Sequence, residues 1–201
     1  MRGAVVALLA VALAAGVGAV VGSQAVDASS ATVVRPLPEL GAAVPLVPDG
    51  VTVDDGVVPG GGTTVGSGLP AVTELDPALL TALRRAAGAA ADDGVAFTVT
   101  SGWRSAEYQE QLLREAVAEH GSAEEAARWV ATSDTSAHVS GDAVDLGPAS
   151  ARSWLAEHGA AYGLCQIYRN EPWHYELRAG AADRGCPGMY ADPTHDPRMQ
   201  P

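Results

Sequence analysis

The sequence predicts an α+β domain in which helices pack on a small, largely antiparallel sheet. Three observations carry that expectation. From about residue 70 onward, helical signatures come first. Short β-branched runs then cluster late in the chain, an order that favours separate helical and sheet layers over a parallel α/β fold. The length of 201 residues allows one domain of ordinary size once an export segment and a linker are set aside.

Residues 1–28 open with one Arg and then run without a charge from Gly3 to Gln24. This pattern reads as a signal peptide with cleavage after Ala25 or Ala28, or as an uncleaved N-terminal membrane anchor. No Cys follows it, which excludes a lipoprotein anchor. The remainder is therefore expected to be exported, secreted or held on the outer face of the cytoplasmic membrane. Residues 29–69 are rich in Pro, Gly and Val without a helical period, and read as a linker.

The domain is expected over residues 70–190. Asp76-Pro77 combines an N-cap with Pro at the first helical position. Leu79, Leu80, Leu83, Ala86, Ala87 and Ala90 then share one helical face, up to Asp93-Gly94. Residues 95–100 read as a strand that delivers Ser101-Gly102-Trp103-Arg104-Ser105. Ser105 caps a helix to about residue 119, and Ser122 with Glu125 forms a capping box for another, to about residue 131. Residues 132–141 lack periodicity and read as a loop. A short buried strand over 143–146, a helix over 148–162 and two strands, 165–168 and 173–177, complete the order. Residues 191–201 are expected to form a loose tail.

The formal net charge is −12, which leaves no basic stripe for nucleic acid and no polybasic patch for an anionic membrane. Membrane contact is expected only through the N-terminal segment, and the domain is expected to be a monomer. Cys165 and Cys186 bracket Glu171 and His174; in an exported chain such a pair reads as a disulfide clamping that segment.

Two imidazoles and two carboxylates stand out. His138 lies on the polar loop near Gly141, where tight backbone is permitted. Asp145 follows on an apolar strand, where a lone carboxylate is costly to bury without a cation. His174 opens a strand between Trp173 and Tyr175, three residues after Glu171. Two His and one carboxylate form a ligand set for one catalytic Zn2+ with a fourth position left to water. Glu171 is the free carboxylate such a site needs as general base. A structural zinc would want a fourth protein ligand, and none lies near.

Blander readings compete. Glu171 can solvate a turn, and Arg104 can pair on the surface with Glu107. The tryptophans are mostly core, with Trp103 and Trp173 able to line a cleft. His120, His158 and His195 are assigned to the surface. Asp192, His195 and Asp196 are set aside as a second metal cluster because their surroundings are Pro-rich.

Residues 136–145, SAHVSGDAVD, resemble the S-x-H-x-x-G-x-A-x-D element of VanY-type D-alanyl-D-alanine carboxypeptidases. Glu171-Pro172-Trp173-His174 resembles the E-x-W-H element of that family, and SGWRS at 101–105 resembles its S-G-Y-R-S. The similarity runs over roughly residues 73–177. It implies hydrolysis of the terminal D-Ala-D-Ala bond of peptidoglycan stem peptides, with His138, Asp145 and His174 on zinc and Glu171 as base. It implies that Arg104 faces the scissile carbonyl or the substrate carboxylate, and that Ser136 and Gln109 lie near substrate. Trp103 stands where the family has Tyr. Related endopeptidases share these motifs, so a peptidoglycan L,D-endopeptidase remains an alternative. A non-catalytic module that only binds cell-wall peptide is another, and the presence of both Glu171 and Arg104 favours catalysis over it.

Overall fold

The computed structural model describes residues 50–199; residues 1–28, read above as a signal peptide or anchor, and residues 29–49 of the expected linker lie outside them. Among the described residues, no helix is long and apolar enough to cross a membrane. The elements in order are α1 (Pro70–Thr73), α2 (Pro77–Asp92), β1 (Thr98–Ser101), α3 (Ala106–His120) and α4 (Ala123–Ala126). They continue with β2 (Ala143–Gly147), α5 (Ala149–His158), β3 (Leu164–Gln166), β4 (His174–Leu177) and α6 (Ala181–Arg184). The four strands form one sheet in the order β1-β2-β4-β3, antiparallel throughout. The α+β class holds, with helices on a small antiparallel sheet.

Local chemistry sets the helix starts. Asp76 Oδ1 accepts from the backbone N–H of Ala78 (2.8 Å) and Leu79 (3.0 Å), satisfying two of the unpaired donors at the start of α2. Ser105 Oγ accepts from Tyr108 N at 3.1 Å to start α3, which ends where Gly121 turns left-handed at φ 82°. Ser122 caps α4 in the same way, yet that helix stops after four residues. Only half of the expected capping box forms, because the Glu125 carboxylate pairs with Arg128 and not with the Ser122 backbone. Arg128 also reaches Asp192 and its carbonyl accepts from Asn170, so tertiary contacts take over the chain.

The apolar core lies on one face of the sheet. Leu79, Leu83 and Ala86 of α2 meet Val99, Val144, Leu146 and Tyr175, with Trp154 and Leu155 of α5 closing the cluster. β2 is buried along its whole length. Its residues alternate between faces, so Val144 and Leu146 enter the core while Asp145 faces the other side. That second face carries the site.

Two boundaries fall outside the expectation. The linker does not extend to residue 69: Val51 and Val57 are buried, Thr63 forms a β-bridge with Val99, and Asp55 Oδ1 accepts from Ser105 Oγ at 2.9 Å. Short 3-10 turns at Val53–Asp55 and Pro59–Gly61 carry this segment, and such turns leave no amphipathic period to read. Nor is the tail loose. Asp192 and Asp196 are buried, and Arg198 is paired with Glu176 and Asp196. Ion pairs rather than apolar side chains hold it, which is why a search for hydrophobic pattern missed it.

Candidate metal centre and cleft

Strand register brings the site together. Asp145 on β2 pairs directly with His174 on β4, and on its other side with Ser101 on β1. His138 comes from the loop before β2, which is pinned at several points. His138 O accepts from Arg104 N at 3.2 Å, and Gly141 O accepts from Asp76 N at 2.9 Å. At Gly141, φ is +80° and a Cβ would stand 2.6 Å from Glu74 O, so only glycine fits this turn.

His138 Nε2 and His174 Nδ1 each lie 3.4 Å from Asp145 Oδ1. All three residues are buried, and one ligand atom from each falls within 4.8 Å of the others. No other group of this kind occurs among the described residues, including around Asp192, His195 and Asp196. Asp145 Oδ1 and His174 Nδ1 are buried without a hydrogen-bond partner, as is Glu171 Oε1 beside them. Buried polar atoms are ordinarily satisfied, so orphans aimed at one point mark a place for a cation. The donor set of two imidazoles and one carboxylate oxygen suits zinc.

The remaining ring nitrogens are held from behind. His138 Nδ1 lies 2.8 Å from Gly102 O, and His174 Nε2 lies 3.3 Å from Glu176 Oε1. Each contact orients its ring so that the other nitrogen faces Asp145 Oδ1.

Charge in this pocket is strongly perturbed. Burial would raise the Asp145 carboxyl, but His138, His174 and Arg104 override it and hold it far below the usual carboxylate range. Burial keeps His138 neutral, helped by the Arg104 charge. For His174, burial is outweighed by the carboxylates of Asp145 and Glu176, which lift it to about 9. Burial lifts Glu171, His174 pulls it back and Asp145 pushes it up again, leaving it at about 7. A carboxyl at that value can accept and return a proton near neutral pH.

Arg104 is tied by all three of its nitrogens: Nε to Ser101 Oγ (2.9 Å), Nη1 to Gln109 Oε1 (3.1 Å) and Nη2 to Asp145 Oδ2 (3.2 Å). Its partner is Asp145, not Glu107. A guanidinium carries five N–H bonds, so two remain for a ligand. Gln109 is buried and also donates to Ala131 O at 2.8 Å, which makes it the bracket that aims Arg104.

These groups open onto a cleft of about 510 Å³. Arg104, Gln109, Ser136, His138, Asp145, Glu171, Trp173 and His174 all line it, and His120 with Trp129 stands toward the rim. Ser136 is buried and its Oγ accepts from His138 N at 3.3 Å. Trp103 does not line the cleft, contrary to expectation. Its backbone N–H donates to Ala71 O and its carbonyl lies against Gly56, which ties this residue to α1 and the segment before it and not to the cleft wall. Cys165 and Cys186 form the disulfide the sequence suggested, tying the β3 edge to the tail side of this wall.

Sequence reasoning missed Glu176, Tyr168 and Arg198. Glu176 could have been found, because the second residue along a strand shares the face of His174. Arg198 carried no local signal.

Fold and site together define a small α+β domain with a His-Asp-His group that could hold a metal and an adjacent carboxylate at the floor of a cleft. The chain belongs to the VanY D-alanyl-D-alanine carboxypeptidase family, whose model matches residues 72–179. It is 37% identical over 112 residues to a D-alanyl-D-alanine carboxypeptidase of Enterococcus faecalis, covering 43% of this chain and 42% of that relative's length. Two solved structures share its fold. One is a glutamate-to-alanine mutant of the vancomycin resistance D,D-pentapeptidase VanY from a VanB-type resistance cassette, in complex with Zn(II). It is 29% identical, with TM-score 0.53 over 57% of this chain and 80% of that one. The other is VanYB in complex with D-alanine-D-alanine, 30% identical, with TM-score 0.51 over 55% and 75% of the two chains.

Proposed function

We propose that this chain is an exported zinc carboxypeptidase that removes the terminal D-alanine from peptidoglycan stem peptides ending in D-Ala-D-Ala. The observation that carries the reading is the convergence of His138 Nε2, Asp145 Oδ1 and His174 Nδ1 beside the orphaned carboxylate of Glu171. Export is supported by the uncharged run from Gly3 to Gln24 and by the Cys165–Cys186 disulfide.

His138, Asp145 and His174 would hold one zinc ion, which when bound supplies a water with a pKa near ~7 and a Lewis acid for the peptide carbonyl. Glu171 takes the proton of the attacking water on its carboxylate and returns it to the departing D-alanine nitrogen. Arg104 turns its two free N–H bonds toward the substrate, where they offset charge growing on the carbonyl oxygen or hold the terminal carboxylate. Gln109 and Ser101 keep that guanidinium in place. Trp173, 37% exposed at the cleft edge, shields the reacting bond from bulk water.

The test is direct. The zinc-loaded chain is incubated with a stem pentapeptide and with a disaccharide tetrapeptide, and the products are weighed by mass spectrometry. Free D-alanine from the pentapeptide alone is the expected result. Cleavage inside the tetrapeptide would point instead to the endopeptidase reading, and no cleavage of either to a binding module.

A further inference from the structure

His174 is gripped from a side the proposed reaction does not use. Its Nε2 faces Glu176 Oε1 at 3.3 Å, while Nδ1 is left toward the metal position. Glu176 is 2% exposed, and an isolated carboxylate at that depth would be costly. It is instead clasped by an arginine fork from the tail: Arg198 Nη1 donates to Oε2 at 2.7 Å and Nη2 to Oε1 at 3.2 Å. Arg178 adds a contact to Oε2 at 3.2 Å. Arg198 is fixed in turn by the fully buried carboxylate of Asp196. Asp196 accepts from Tyr168 OH at 3.0 Å, and the Tyr168 ring lies 5.1 Å from the ring of His174. The contacts therefore form a closed circuit around one imidazole. Asp196 and Arg198 lie beyond the segment, 72–179, that the family model matches.

We infer that Glu176 is a positioning residue for His174 and that Arg198 and Asp196 hold it in place, making the C-terminal segment part of the metal-retaining apparatus. The inference rests on the reading of His174 Nδ1 as a zinc ligand. Glu176 accepts the Nε2 proton, which fixes the tautomer and leaves the Nδ1 lone pair free to bind. Arg198 neutralises Glu176 and stops it from rotating away. A purely structural ion pair would stabilise the fold without favouring either nitrogen of His174.

The experiment measures zinc affinity of the metal-stripped full chain by competition with a chromophoric chelator. Unmodified protein, Glu176→Gln, Arg198→Met and His138→Ala are compared, each with its metal-free melting curve. Glu176→Gln should weaken zinc binding ~10- to 100-fold, the span typical of such partners, and Arg198→Met should weaken it in the same direction. In the unmodified zinc form, long-range proton–nitrogen NMR should show a proton on His174 Nε2. Affinity within about two-fold of the unmodified chain for both variants would overturn the inference, as would a His174 whose Nε2 carries the metal. If Glu176→Gln does not fold, Arg198→Met and the NMR spectrum decide. An unmodified chain that takes up no zinc, or His138→Ala that binds as well, overturns the zinc reading itself and this inference with it.

Discussion

Asp145 shows how much one side chain can be asked to do. One oxygen faces both imidazoles and the other takes Arg104, so its charge serves ligand and guanidinium together. Glu171 has no such duty; its orphaned Oε1 is free for proton transfer. Glu171→Gln is therefore expected to retain zinc and lose ~10²- to 10⁴-fold in kcat, measured by D-alanine release. Arg104→Met is expected to lose ~10²- to 10³-fold, and Arg104→Lys to recover little, since an ammonium cannot hold Ser101, Gln109 and Asp145 at once. Asp145 was legible because a carboxylate on an apolar strand demands a partner. His138, on a polar loop, and His174, at a strand start, stood out through their spacing and the family elements that contain them. Gln109 was legible only as a nearby polar group. Its work on Arg104 depends on how α3 packs, which no local spacing encodes.

At the scale of elements, caps wrote the helix starts plainly: Asp76, Ser105 and Ser122 each stand where a helix begins. Strand ends moved by a few residues, since pairing and not propensity sets them. The 3-10 turns before α1 and the tail stayed hidden because neither repeats an apolar period. The disulfide closes a loop between residues 21 apart that contains Glu171 and His174. Replacing both cysteines by Ser should lower stability by about 3 kcal/mol, read as a fall in melting temperature. The tail makes a pH-dependent contribution. Burial would raise Asp192, but Thr194, His195 and Arg128 hold it at about 2, and Arg198 holds Asp196 below its usual range. Folded values below the unfolded ~4 add stability at every pH above that point and lose it as pH falls from ~4 through ~2. Asp192→Asn should therefore have the lower urea midpoint at pH 6, with the gap closing by pH 2.

For the whole molecule, the metal position joins a loop, two strands and, through Glu176, the C-terminal segment. An ion held by the loop and the two strands, with the C-terminal segment backing His174 through Glu176, would stabilise the fold because the unfolded chain offers no such site. Zinc at ~1,000 times its dissociation constant should add about 4 kcal/mol, seen as a rise in melting temperature that a chelator reverses and His138→Ala abolishes.

The sheet order has one more consequence. Its interior partner, β4, is translated after both strands it must slip between. A chain cut short before residue 174 would hold β2 and β3 apart with bare hydrogen-bonding edges and only one imidazole in place. Such a fragment invites edge-to-edge clumping, so a nascent chain depends on the segment from residue 174 onward for solubility as well as for chemistry.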